Sequence, residues 1–356
     1  MECCSPLQLF GTRRSREISP TFNSTLAVSR RDEVAKSASL PDADKNGMQP
    51  TALTLTSLFA TCLLLMGCQS TLPPQNDLAA SAVADWQLWK AKRQESIAGT
   101  NGWLTLIGRH WLEQGPQSVG RNPSNDIVIR SERAPESIGV LHRSGKSVRI
   151  ELSHGVQAWV EGQPAPSSLE LRSDQASSPT LLVISDLKFL IIDRGERIGL
   201  RVRDPWAPAR KRFAGLSYFP YQPDWRVSGT FETYPKPRSV AIDTVIGTTE
   251  NFVSPGMVHF HWSGRPYSLE VVEEGVDDFF VLFKDRTNGR STYDAGRFLY
   301  VRRPDATGQV IIDFNRAYTP PCGFTPYATC PLAPRQNWLP VSIRAGEKAP
   351  THQGAH

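Results

Sequence analysis

Beyond Trp103 the chain is a succession of short β-rich runs, each closed by Gly, Pro, Asn or Ser, and this punctuation limits its fold more than any other feature. The first series is Ile127–Ile129, Val148–Leu152, Gln157–Val160, Leu181–Ile184, Phe189–Ile192 and Ile198–Val202. Runs of this length are too short for amphipathic helices, and their regular spacing predicts a sandwich or a barrel. A Pro- and cation-rich loop from Asp204 to Phe213 then leads to a second series: Trp225–Phe231, Val240–Val245, Met257–Trp262, Tyr267–Val272, Phe279–Phe283, Phe298–Val301 and Val310–Asp313. Ser263-Gly264 and Asn288-Gly289 carry hairpin-turn chemistry, because both central residues of such turns need positive φ.

One segment breaks the β pattern. In Ser81–Ile97 the residues Val83, Trp86, Trp89, Arg93 and Ile97 recur at helical spacing, and Gly99–Gly102 ends the run. The domain plan is therefore a helix with a β-sandwich over 81–204, a linker loop at 205–224, a barrel-like β domain over 225–348 and a disordered tail at 349–356.

The chain is 39% hydrophobic and 21% charged, which is enough to bury a core, and its net charge of +5 comes without any nucleic-acid recognition pattern. Nucleic acid is thus not expected as a partner. The predominantly apolar stretch Leu53–Met66 spans about 14 residues, short of the ~20 that a membrane helix needs, and fits the apolar core of a signal peptide. Leu65-Met66-Gly67-Cys68 resembles a bacterial lipobox, in which Cys68 would be lipidated. Residues 1–47 are then disordered or upstream of a true start at Met48, 48–67 form a lipoprotein signal peptide, and 68–80 are a tether. The expected location is the cell envelope, lipid-anchored to the outer membrane and facing the periplasm. The expected partners are the membrane and an unidentified small ligand or envelope protein.

Chemistry-bearing residues concentrate at the end of the second series. Asp313, Asn315 and Tyr318 stand where a strand gives way to a Pro-rich segment, the position at which barrels display ligand-contacting groups. Arg297, following Tyr293, can face them from an adjoining strand and pair with Asp313; Glu250 is a lesser candidate of the same kind. These residues form either a polar binding site or a set of pairs that fix strand ends. A hydrolase reading would use Asp313 as base or orienter and Arg297 as anion stabiliser. Cys322 and Cys330, the only cysteines beyond Cys68, lie in a Pro-bounded loop and read as a disulfide in an oxidising envelope, with free thiols as the alternative.

Several motifs fall short. Gly139 to Ser147 has a P-loop's residue types, but one residue too many separates the glycines, and Ser144-Gly145-Lys146 reads as a hairpin turn. His259 and His261 share one face of a strand without a third ligand, so no metal and no named cofactor is expected.

Val119-Gly120-Arg121 through Asn125–Ile129, with Val160-Glu161-Gly162-Gln163, resembles a forkhead-associated (FHA) β-sandwich. That resemblance implies phosphothreonine binding by Arg121, but Ser137 lies out of pattern with His142, which leaves FHA-type phosphopeptide binding a remote alternative. Gly102-Trp103-Leu104, Asn125-Asp126-Ile127, Arg201-Val202 with Arg210-Lys211, Ser254-Pro255-Gly256, Thr292-Tyr293 and Gly296–Tyr300 together resemble the DUF1684 family of uncharacterised bacterial and archaeal proteins, over about Trp86 to Lys348. The family implies no activity. It includes chains without a signal, which counts against a purely disulfide role for the cysteine pair. The expected fold is all-β: an FHA-like β-sandwich, then an antiparallel β-barrel-like domain, with one N-terminal helix.

Overall fold

The computed structural model describes residues 75–351, with side chains from residue 80. The segments 1–47 and 48–67, the lipidation candidate Cys68 and most of the tether lie outside the described residues. A 24-residue helix, α1 (Gln75–Ala98), opens the described chain and starts six residues before the expected Ser81. The first half then contributes β1 (Leu106–Trp111), β2 (Gly115–Gly120), β3 (Ile127–Val128), β4 (Gly139–Ser144), β5 (Ser147–Leu152), β6 (Trp159–Val160), β7 (Gln163–Pro164), β8 (Ser168–Glu170), β9 (Leu182–Ile184), β10 (Leu187–Arg194) and β11 (Arg197–Arg203). After a single-turn helix, α2 (Pro208–Lys211), come β12 (Arg226–Asp243), β13 (Thr249–Trp262), β14 (Arg265–Glu273), β15 (Asp278–Phe283), β16 (Arg297–Arg302) and β17 (Gln309–Asp313).

The first eleven strands make two sheets, ordered β1-β11-β10-β9-β6-β7 and β3-β2-β4-β5-β8. Their facing side chains, among them Val119, Leu141, Val148 and Ile150 on one sheet and Ile184, Phe189, Ile191, Leu200 and Val202 on the other, form one core. Alternation explains the assignment: in β5, Val148 and Ile150 are buried while Ser147, Arg149 and Glu151 are exposed. The rejected P-loop is the β4–β5 hairpin, turning at Gly145 with φ 62°. Glu161 and Gly162, both at positive φ, make the turn between β6 and β7.

The last six strands form a single antiparallel sheet, β16-β15-β14-β13-β12-β17, whose edge strands β16 and β17 come into contact and leave the barrel nearly closed. Two of the expected strands prove to be one. β12 runs on through Pro235 and Pro237, and a register shift between Thr233 and Arg238 absorbs the amides those prolines lack. Ser263 and Gly264 turn the β13–β14 hairpin as expected. Asn288-Gly289 does not join two strands directly; it sits inside a longer loop between Phe283 and Arg297.

The barrel wall is buried on both faces where β15 runs. Phe279, Val281 and Phe283 point into the barrel with Val258, Phe260, Leu299 and Ile312. Phe280 and Leu282 point outward into a second core with Phe298, Tyr318, Phe324 and, from the start of the described chain, Ile97, Trp103 and Leu104. Double burial explains why this strand reads as an unbroken apolar run rather than an alternating one. It also moves the helix. Placed by the sequence with the sandwich, α1 lies instead against the barrel's outer face: Trp86, Arg93 and Ile97 are buried there, and Val83 is exposed. The expected tail is likewise tied down at its start, since Ala349 N–H donates to Ser291 O at 3.0 Å.

Candidate functional site

Arg297 begins β16 with its side chain fully buried. Its expected partner was Asp313, but its Nη2 donates to Asp285 and, at 3.0 Å, to Ile343 O, while Nη1 donates to Ala345 O. Asp285 is the nearer acid because it opens the loop that returns directly to β16. Its other oxygen accepts from the Thr287 amide at 2.8 Å and the Ile343 amide at 3.2 Å. Burial pushes the Arg297 guanidinium down from the ordinary arginine range, and Asp285 pulls it back. Guanidinium and carboxylate together fasten the strap 343–345 across the barrel.

Asp313 turns its carboxylate onto its own chain. It caps the tight turn Phe314–Arg316 by accepting from the Asn315 amide at 3.1 Å and from Asn315 Nδ2 at 3.0 Å, and Arg316 Nε lies 3.5 Å away. Asn315 is buried and holds both backbone groups of Gln222, donating to its carbonyl at 2.9 Å and accepting from its amide at 3.1 Å. Trp86 Nε1 on α1 donates to Asn315 O at 2.9 Å. Tyr318 is buried, with the Arg93 guanidinium 4.5 Å above its ring.

A second buried pair escaped the sequence reading. Arg93 Nε meets Glu347 Oε1 at 2.6 Å, with both side chains almost wholly enclosed. Arg93 also donates to Thr319 O, and Glu347 Oε2 accepts from the Thr319 amide at 2.8 Å. Burial alone would lower the Arg93 pKa, but the charge and hydrogen bond of Glu347 outweigh it and hold the group above its usual range. Arg93 was legible only as a member of an apolar helical stripe. A cation in that stripe was the one signal of a buried acid elsewhere.

The remaining candidates fall into separate places. Glu250 lies near Arg194, 3.7 Å from its Nε, and burial raises its pKa against the pull of that arginine. Arg194 also meets Asp174 at 2.8 Å and donates to Thr329 Oγ1 at 3.1 Å. Tyr293 sits against the cysteine pair, its hydroxyl pushed far up by burial and by Cys322. The expected disulfide is not formed in the structure. Cys322 and Cys330 hold their thiols in hydrogen-bond contact, and the Cys322 amide donates to Cys330 Sγ at 3.3 Å. The hydrogen bond to Cys330, with burial, raises the Cys322 pKa well above the ordinary thiol value, the opposite of what a reactive thiolate needs. Arg121, the phosphate ligand implied by the FHA resemblance, is engaged by Glu136, and Ser137 pairs with Ser153 at 2.8 Å.

On the barrel's outer face His259 Nδ1 and Ser268 Oγ are 2.7 Å apart, and His259 Nε2 lies 2.8 Å from Glu232. This row crosses β14, β13 and β12 and has the residue types of a hydrolytic triad. Acyl transfer also needs amide donors converging on an oxyanion, and strand amides lie in the plane of the sheet rather than above its face. The row is accordingly a cross-strand ladder. Among the described residues no three His, Cys, Asp or Glu side chains are grouped to hold a metal ion.

Residues 211–348 match the model of DUF1684, a protein family of unknown function. An uncharacterized protein of Haloarcula marismortui, solved in solution, is 34% identical over 39% of this chain and 78% of its own, with a TM-score of 0.34. No curated protein matches the chain. The barrel with the strap that closes over it, residues 211–348, is a DUF1684 domain.

Proposed function

We propose that this chain is a cell-envelope lipoprotein, anchored through Cys68, whose barrel domain binds a small ligand or an envelope partner at a polar rim around Asp313. The lipobox-like Leu65–Cys68 supports the anchor. The observation that carries the rim is the exposure of its charges: Arg297, Asn315 and Tyr318 are sealed into the scaffold, whereas Asp313 keeps part of its carboxylate open beside Arg316, whose side chain is 37% exposed. Tyr221 completes the rim, its pKa raised by burial and by Asp313. A hydrolase built on Asp313 and Arg297 loses support from the same geometry, because its two groups answer to different partners. FHA-type phosphopeptide binding has the two-sheet sandwich in its favour and the engaged Arg121 against it.

Two measurements test the reading. Cys68→Ala should move the protein from the membrane to the soluble fraction; unchanged fractionation removes the anchor. Native mass spectrometry of the protein taken from its own envelope should show a retained ligand that Asp313→Asn loses. Asn preserves the cap on the 314–316 turn, so a ligand kept by that variant excludes the rim.

A further inference from the structure

We propose a site independent of the barrel rim: Cys322 and Cys330, with Tyr293, form a redox latch that a disulfide oxidant converts from two thiols to one disulfide. The path of the chain brings the two sulfurs together. Pro321–Gly323 makes one tight turn, closed by the Gly323 and Phe324 amides, which donate to Pro320 O and Pro321 O at 2.9 Å. Eight residues beyond Cys322, Cys330 O accepts from the Val245 amide at 2.9 Å, and Pro331 bridges to Thr244. The turn between β12 and β13 therefore holds the far end of the loop.

Buried cysteines are commonly inert apolar fillers. Here each sulfur has a donor of its own. The Cys322 amide reaches Cys330 Sγ at 3.3 Å, which seats that sulfur against residue 322, and the Tyr293 hydroxyl donates to Cys322. Gly323 lets the phenol in, because a Cβ there would stand 3.2 Å from the Tyr293 ring and clash with the Thr319 methyl. Cys322 is half-buried and Cys330 buried, which orders their roles. The Cys322 thiolate attacks a dissolved disulfide, forming a mixed disulfide and releasing one thiolate; Cys330 then attacks the Cys322 sulfur and releases the second. The protein thiols lose two electrons to the oxidant, and their two protons end on the released thiolates.

The raised Cys322 pKa sets the character of the latch. Little thiolate exists at neutral pH, so exchange is slow and quickens as pH rises. The site also withholds the thiolate stabilisation that makes low-pKa dithiols strong oxidants, so the disulfide persists once made. The loop between the cysteines gives Ala328 O to Arg109 and Thr329 Oγ1 to Arg194, both from the sandwich, and turns Phe324 and Ala328 into the outer core. Oxidation thus fixes the loop on which sandwich and barrel meet.

The test is thiol counting on the folded full-length protein in detergent. It is equilibrated at mildly alkaline pH in mixtures of oxidised and reduced glutathione, quenched by alkylation and cut with trypsin. Both cysteines fall in the single peptide 317–335, apart from every other cysteine of the chain. That peptide should lose two hydrogens and refuse alkylation, at a ratio of oxidised to reduced glutathione roughly tenfold or more below what the urea-unfolded protein needs. Dithiothreitol should restore both thiols. By linkage, oxidation should raise the thermal midpoint by several degrees in wild type and not in Cys330→Ser. Tyr293→Phe keeps the ring but removes the donor, so its exchange should begin at higher pH, a shift that packing alone would not produce. A folded protein whose peptide alkylates at both cysteines, stops at a glutathione adduct on Cys322, or oxidises no more readily than the unfolded chain overturns the latch. The wild-type peptide mass decides this without any variant.

Discussion

The barrel and the seam beside it use the same residue type to opposite ends. In the barrel, Arg297 and Arg93 are wholly buried, and each is matched by one carboxylate and by backbone carbonyls, so the pairs act as rivets for the strap 343–347. At the seam, where β1 and β11 meet the loop that carries Ala328, Arg109 faces Arg201 and Arg197 with its Nε unmatched. A cation sealed with its counter-charge is architecture, because removing one member strands the other in low dielectric. A cation left among its own kind is costly to keep.

The contrast is broken most directly at Arg297. Arg297→Met keeps much of the side-chain volume but leaves Asp285 buried without its cation, and the expected loss is about 3–5 kcal/mol in urea unfolding. A loss below ~1 kcal/mol would mean that the pair is not a rivet.

Glu274 supplies an intermediate case, a carboxyl with burial whose partner among the described residues is a hydroxyl rather than a cation. Burial raises its pKa to about 7, partly offset by the hydrogen bond from Tyr300. The sign follows from the direction of the shift. Below the unfolded value of 4.5 the group is neutral in both states and costs nothing. As pH climbs from there, the unfolded chain ionises first, so the native state loses stability until the folded group also ionises near 7, by up to about 3 kcal/mol. Glu274→Gln should therefore equal wild type near pH 4 and exceed it at pH 8. A pH-independent difference between the two proteins would return Glu274 to the solvated surface.

Much of this was legible in the sequence where one face of an element dominates. The β13–β14 hairpin announced itself through Ser263-Gly264, and the sandwich through alternation such as that of Val148 and Ile150. What could not be read was pairing at a distance. Arg297 chose Asp285 over Asp313, and Arg93 met Glu347 across more than two hundred residues, because loop return and strap placement bring those acids close and sequence separation records neither. The same blindness sent α1 to the sandwich: the helix shows an apolar stripe, and the stripe does not say which core it covers. Of the proposed polar set, Asp313 alone combines a partly open carboxylate with an adjoining open cation; Asn315 and Tyr318 are where the strand end places them, but turned inward. Arg201 could be read only as part of the Arg201-Val202 motif, and its place opposite Arg109 could not, because like-charge opposition exists only once the register is known.

The smallest expected effect is the one that discriminates best. Arg109→Gln, measured by urea unfolding in chloride, loses one hydrogen bond to Ala328 O, worth about 1 kcal/mol. Against that stands relief of repulsion from Arg201 and Arg197 and of the cost of burying a guanidinium whose Nε has no partner. The two contributions are of similar size, so the variant should fall within ~1 kcal/mol of wild type or above it, while the corresponding change at Arg297 costs several times more. A loss at Arg109 as large as that at Arg297 would make both arginines rivets and erase the distinction between barrel and seam. A neutral or stabilising result is what a half-buried guanidinium facing its own kind should give, since its charge burdens the fold that holds it.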